Sequence, residues 1–297
     1  MIDARVVFAA PFRLPDPSEL GDAVVVLDIG FCASDGERSF EAITEPFLQG
    51  LGPRLKLWID HHTHDRHHEF AGDPRFVLVP REQHPACPEL VTPERVAAAG
   101  PVDTIVAHSD FDGIASAAKF LLGGVEPYPG CDADARAIDS RVGVASARAE
   151  RLTAALAVRH DETMRHMVLN SLLKPEEPPA ATQMIDRAER SYRARVQRAE
   201  QLVARGEQVG EAWVVDGRRA DGRIDRTQAL LMAQERALIA VFIGDDGRIS
   251  MAAPMDSGFD FPTIFGTRGG MRNRITLPIK RMGEVLNFAE NAQRGGR

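Results

Sequence analysis

Apolar runs that end in acids or histidines dominate the first half of this chain. Residues 23–28, AVVVLD, are apolar without a break up to Asp28, which suits a strand buried on both faces of a parallel sheet. From 39 to 51 the apolar positions Phe40, Ile43, Phe47, Leu48 and Leu51 approach helical spacing, with Ser39 as N-cap. Residues 57–59 are apolar again and run into Asp60, His61 and His62, so strand, helix and strand make one βαβ unit. Residues 76–79 read as a short further strand, and HPACPELVTPERV as a proline-punctuated turn leading into a helix. DTIVAH (103–108) is a strand that enters SDFDG, and GIASAAKFLL (113–122) carries the small and apolar residues of a helix packed closely on a sheet.

Past Gly124 the pattern turns helical, through an Ala- and Arg-rich segment at 144–172, to the linker-like KPEEPPAA at 174–181. A long charged helix is expected over 182–206. Beyond it come a strand at 211–215, a helix near 227–235, strands at 237–243 and 248–253 joined by a GDDG turn, a glycine-rich stretch and a final helix. The pattern predicts an α/β fold with a mostly parallel sheet flanked by helices and a second, smaller α/β domain. The expected division is 1–173, a connecting segment 174–210, and 211–297.

Composition narrows the class. The 297 residues are 44% hydrophobic and 27% charged, without a stretch approaching the ~18 apolar residues of a membrane span. The first residues, MIDARVVFAAPFRLP, lack the basic leader and small-residue cleavage pattern of a secretory signal, so a cytoplasmic location and no membrane partner are expected. Cys32, Cys87 and Cys131 are too few and too far apart for a disulfide framework or a zinc ribbon. A net charge of -7 argues against nonspecific coating of nucleic acid. It leaves room for a local basic surface, and residues 266–297 hold seven Lys or Arg against two Glu.

The chemistry gathers at the strand ends. Five of the nine histidines lie between positions 61 and 68, and imidazole beside carboxylate is what a divalent metal takes as ligands. Read alone, LWIDHHTHDR fits a metal site or a solvated His-rich loop equally well. Two further predicted strands end in the same residue types, at Asp28 and at His108 with Asp110 and Asp112. Sites in open α/β sheets lie beyond the carboxyl ends of the strands, and ordinary cores avoid unpaired charges. The alternate spacing of His108, Asp110 and Asp112 points them one way if the chain stays extended, and Gly113 allows a tight turn into the helix.

On these residues the chain resembles a known family. LWIDHH is similar to the motif that names the DHH phosphoesterases, VVVLDIGF to the strand and DxG turn of their central aspartate motif, and HSDFDGIAS to their first motif. That family includes RecJ-type single-strand exonucleases, nanoRNases that also act on pAp, cyclic-dinucleotide phosphodiesterases, family II pyrophosphatases and exopolyphosphatases. Its motif order differs: the DxD motif comes first there, whereas here it follows the other two. The resemblance therefore implies a circularly permuted DHH-type catalytic domain.

The resemblance also implies roles. His108, Asp110 and Asp112 would ligate metal, Asp28 would bridge two ions and His61 would bind the second. Asp139 is the best match to a further aspartate motif, with Asp132 and Asp134 as alternatives. His62 would face the phosphate or support the site, with Asp60 orienting its neighbours. FGTRGGMRNRITLP is similar to the glycine-rich loop of the DHH-associated domain, with Arg268, Gly269, Gly270, Arg272 and Asn273 as substrate-binding residues and Met271 where that loop has His. The implied cofactors are two Mn²⁺ ions, with Mg²⁺ or Co²⁺ as alternatives. The implied function is hydrolysis of phosphate esters of nucleotides or short single-stranded oligonucleotides by a metal-activated water. An inorganic pyrophosphatase or exopolyphosphatase, or a catalytically degenerate nucleotide-binding protein, is the alternative; a homodimer stays open.

Two other motifs share part of the His-rich stretch. HTHDRHH is close to the HxHxDH of metallo-β-lactamase-like hydrolases, but Asp65 follows His64 without the intervening residue. Asp60, His62 and His64 have the DxHxH spacing of amidohydrolases, yet a (β/α)8 barrel takes ~250 residues. Neither accounts for HSDFDG or DIGF.

Overall fold

The computed structural model describes residues 1–33, 38–81, 83–174, 178–267 and 272–292. The chain divides into two compact units, Met1–Glu189 and Arg190–Arg297.

The first unit is built on a five-stranded, all-parallel sheet of β1 (Arg5–Ala9), β2 (Val24–Leu27), β3 (Leu55–Asp60), β4 (Phe76–Leu78) and β5 (Thr104–His108), in the order β1-β5-β2-β3-β4. The AVVVLD run is β2, and the reason for its unbroken apolar character is visible in its neighbours. Val25 and Leu27 join one core with Leu57, Ile59, Ile105 and Ala107, while Val24 and Val26 join the opposite core with Leu55, Trp58 and Val106. Successive side chains alternate faces, and both faces are covered.

Helix α1 (Glu45–Leu51), entered through a π-helical turn at Phe40–Thr44 capped by Ser39, covers one face with Phe47 and Leu51. On the other face lies α3 (Phe111–Leu121), which follows the short α2 (Pro93–Ala99) and β5. Every residue of α3 is buried. That explains GIASAAKFLL: a helix enclosed on all sides cannot show a polar stripe. Its one charged residue besides Asp112, Lys119, donates to the Pro88 carbonyl (2.9 Å) and is paired with Asp132. Helices α4 (Cys131–Ser140), α5 (Ala147–Val158) and α6 (Glu162–Leu173) complete this layer.

Two differences from the sequence reading bear on the site. The apolar run at 6–9 lies in a strand, β1, paired in register along β5 from Arg5↔Thr104 to Ala9↔His108. Its brevity and position hid it, since so short an apolar run carries little periodic signal by itself. Secondly, the chain does not stay extended through SDFDG. The Asp110 carboxylate accepts from the Gly113 amide (3.0 Å) and starts α3 at Phe111, so Asp112 lies in the first helical turn.

Helix α7 (Pro179–Val203) begins three residues before the expected start. The second unit holds a five-stranded sheet of β6 (Glu207–Val209), β7 (Ala212–Asp216), β8 (Ile239–Ile243), β9 (Arg248–Ala252) and β10 (Arg274–Pro278), in the order β10-β9-β8-β7-β6. β7 and β8 are parallel, joined through α8 (Arg226–Gln234), and the other pairings are antiparallel. The short α9 (Phe261–Ile264) and the final α10 (Met282–Asn291) contribute to one of its two cores. β10 occupies ITLP, which the sequence pattern assigns to the end of the glycine-rich stretch. Among the described residues no helix is long and apolar enough to cross a membrane, and the three cysteines are buried.

Candidate metal centre

The strand order decides what meets at the carboxyl edge of the first sheet. β2 lies between β5 and β3, so Asp28, one residue past β2, is flanked by His108 at the end of β5 and His61 just past β3. This is where the chain reverses its direction of travel across the sheet, the place where open α/β sheets bind ligands.

Asp28 is buried (1% exposed) with a left-handed φ of 58°, a conformation that Asp tolerates better than most residues. Its amide donates to the Ile59 carbonyl (2.9 Å), which ties it to β3. Oδ1 lies 3.2 Å from His61 Nε2 and Oδ2 3.6 Å from His108 Nδ1. Burial alone would raise its pKa, but the contacts with His108 and His61 outweigh it and hold the carboxyl well below its usual range.

His61 is fully buried. Its Nδ1 is 3.3 Å from the His84 carbonyl, so the proton sits on Nδ1 and the Nε2 lone pair points into the site. There Nε2 faces Asp28 Oδ1, Asp112 Oδ2 at 3.3 Å and Asp139 Oδ2 at 4.0 Å. Asp112 Oδ2 accepts from the Cys87 amide (3.1 Å). Its burial, with the charges of Asp28, Asp110 and Asp139, raises its pKa well above the ordinary carboxylate value. Burial likewise raises that of Asp139.

Asp110 has two duties. Oδ1 caps α3, and Oδ2 lies 2.8 Å from His108 Nδ1. Burial would lower the His108 pKa, but Asp110 and then Asp28 outweigh it and push it up to about 11. On the other side Asp60, fully buried, holds His62 through Nδ1 (2.8 Å) and through its amide (3.2 Å). His62 is one-third exposed. Burial would lower its pKa, but the Asp60 contact outweighs this and raises it. Gly30 makes room for that ring, since a Cβ there would sit 3.1 Å from His62 Cβ.

At this edge Asp28 Oδ1, His61 Nε2 and Asp112 Oδ1 are buried without a hydrogen-bond partner among the described residues. Buried polar atoms are rarely left so, and carboxylates crowded together at low dielectric need a positive charge among them. The side chains fall into three groups whose ligand atoms lie within 4.8 Å of one another: Asp28, His61 and His62; Asp28, His108 and Asp110; His61, Asp112 and Asp139. Donors of mixed oxygen and imidazole nitrogen suit first-row divalent cations. The residues fit a metal centre with Asp28 shared between groups.

The three candidate acids of α4 separate clearly. Asp132 is paired with Lys119. Asp134 accepts from Tyr128 Oη (2.7 Å) and from the amide and hydroxyl of Ser146 (both 2.6 Å). Asp139 alone of the three is turned toward His61. His64, His67 and His68 belong to none of the groups; the rings of His64 and His67 rest against Phe31 at 5.7 and 5.0 Å.

Sequence reasoning missed Arg81, whose Nη2 lies 3.2 Å from His62 Nε2 and 3.1 Å from Asp139 Oδ2. It follows β4, so a fourth strand end was the available signal. The backbone roles of His84 and Cys87 carry no side-chain pattern to read. Of the expected substrate-binding residues, Arg268, Gly269 and Gly270 lie outside the described residues. In the second unit, Arg272 is exposed and pairs with Asp260 (3.2 Å), and Asn273 Nδ2 donates to the Ala253 carbonyl (2.8 Å).

No family model matches the sequence, and no curated protein matches it. Among solved structures the chain is similar to a crystal structure of exonuclease RecJ bound to manganese, with a TM-score of 0.50 and 14% identity over 94% of this chain and 78% of that one. The likeness is one of fold. A pGpG-specific phosphodiesterase, PggH from Vibrio cholerae, aligns with a TM-score of 0.42 and 9% identity, over 63% of this chain and 81% of that one.

Proposed function

We propose that this chain is a divalent-metal-dependent phosphoesterase that hydrolyses phosphate esters of nucleotides or short oligonucleotides. The observation that carries the reading is the convergence of His and Asp ligand atoms on the carboxyl edge of a parallel sheet, three of them buried and unpartnered, with Asp28 and His61 each shared by two groups. The sharing supports two ions, with Asp28, His108 and Asp110 on one and His61, Asp112 and Asp139 on the other, and Asp28 common to both. Mixed carboxylate and imidazole donors suit Mn²⁺ better than they would a sulfur-bound zinc site. When bound, such ions acidify a water and neutralise phosphate oxygens as charge grows in the displacement.

The chain's own residues do the rest. The His84 carbonyl keeps the His61 lone pair aimed inward. The Cys87 amide fixes the Asp112 carboxylate. Asp60 holds Nδ1–H of His62, which leaves the Nε2 lone pair to accept from Arg81 Nη2 (3.2 Å) and to take a proton from a water at the centre. Arg81 stands beside that atom and adds a positive charge for a phosphate oxygen.

The strand order supports the permuted arrangement that the motifs imply: the strand carrying HSDFDG is last of the five in the chain, yet lies between β1 and β2. In this reading residues 1–173 are catalytic, 174–210 connect, and 211–297 bind substrate. The glycine-rich stretch with Arg268, Gly269, Gly270, Arg272 and Asn273 grips the phosphate backbone.

An activity panel with Mn²⁺ tests the proposal, using pAp, a diribonucleotide, short single-stranded DNA, a cyclic dinucleotide and pyrophosphate. Hydrolysis of a nucleotide ester supports it. Cleavage of pyrophosphate alone selects the pyrophosphatase reading, and Mn²⁺ binding with no hydrolysis of any member selects a binding protein.

A further inference from the structure

A cavity of about 340 Å³ opens directly beside the metal-ligand carboxylates of Asp110, Asp112 and Asp139. That volume is at the small end of those that hold small molecules. Leading away from the carboxylates, its walls are Ile138, Leu156 and Ala157. Thr153 also lines it, with Oγ1 buried and without a hydrogen-bond partner. Arg141 stands at the rim, immediately after α4.

These features select a ligand. An inorganic phosphate chain running into the cavity would need cations along its length, because buried anionic oxygens must be paired; here the basic Arg141 and His160 are outnumbered by the apolar Phe111, Ile138, Leu156 and Ala157. A flat ring with apolar faces and a hydrogen-bonding edge matches them. The hydroxyl of Thr153, able to donate or accept, meets the edge, and the Arg141 guanidinium meets a neighbouring phosphate or stacks on the ring. We propose that this cavity is the subsite for the nucleoside part of the substrate, with Thr153 and Arg141 as its polar contacts and Ile138, Leu156 and Ala157 as the surface under the base. The inference rests on the phosphoesterase reading and deepens it, since it assigns specificity for an organic rather than an inorganic ester.

The test uses the full chain loaded with Mn²⁺. Calorimetry measures binding of thymidine 5′-methylenephosphonate, which has no scissile ester, and of inorganic phosphate. Ala157→Phe, which fills the cavity, is expected to weaken the nucleoside analogue by at least about tenfold relative to phosphate. Thr153→Val is expected to weaken it about fivefold, with Thr153→Ser restoring it. Equal weakening of both ligands, or no weakening of the analogue, overturns the subsite. Hydrolysis of thymidine 5′-(p-nitrophenyl phosphate) and methyl p-nitrophenyl phosphate by the same variants separates the two ideas. A wild-type protein that cleaves neither ester but shows the binding pattern keeps the subsite and loses the phosphoesterase reading. Cleavage of both without the binding pattern does the reverse.

Discussion

Asp28 stands at the centre of the site, in two of the three ligand groups. It is buried, left-handed in backbone and in contact with two histidines from neighbouring strands. Asn tolerates the same backbone conformation and keeps the shape. Asp28→Asn is therefore expected to lower Mn²⁺-dependent hydrolysis by at least about 100-fold, with a thermal midpoint near that of the metal-free parent; activity within tenfold of wild type would remove Asp28 from the reaction. The histidine opposite it titrates in a defined direction. His108, pushed up to about 11 by Asp110 and Asp28, carries a proton at neutral pH and must lose it to ligate. Metal binding should thus release protons and tighten as pH rises, which calorimetry in buffers of different ionisation enthalpy would detect. Affinity independent of pH between 6 and 9 would contradict this ligand.

Among elements, the junction of β5 and α3 does most to shape the centre. Gly113 allows the helix to start hard against the strand: a Cβ there would lie 2.5 Å from the His108 carbonyl oxygen and 2.6 Å from His108 Cβ. Gly113→Ala is expected to cost about 1–3 kcal/mol of stability through overpacking and to weaken Mn²⁺ binding by displacing His108, as a denaturant midpoint and a metal titration would read out. Helix α4 offers a contrast within ten residues. Asp139→Asn should abolish metal-dependent activity at little cost in stability, whereas Asp134→Asn should lower the melting temperature through lost hydrogen bonds to Tyr128 and Ser146. The opposite pattern would move the ligand to Asp134.

For the molecule as a whole, crowding of carboxylates around one point makes folding and metal binding a linked pair. At a Mn²⁺ concentration 100 times its Kd, the folded state gains about 2.7 kcal/mol, a rise of several degrees in melting temperature that chelation reverses. Asp112→Asn should lose most of that rise. The net charge of -7 sets a second expectation: affinity for long single strands should be low at 0.15 M salt and fall gently with added salt, because few phosphates are neutralised. A steep slope would point to a broad basic surface instead.

Sequence alone determined which acids and histidines stand at strand ends and which strands bear them. Asp28, Asp60 with His61 and His62, and His108 with Asp110 and Asp112 were legible because buried parallel strands write unbroken apolar runs, against which a terminal acid or histidine stands out. β1 and β10 were not legible, being short and without periodic contrast. Tertiary structure alone decided that β5 lies between β1 and β2, which puts His108 beside Asp28, that Asp139 rather than Asp132 or Asp134 turns to His61, and that Arg81 joins them. It also showed the conspicuous His64 and His67 packed against Phe31. The physical reason is the same in each case. Strand pairing and side-chain direction depend on contacts between residues far apart in the chain, which local pattern does not encode.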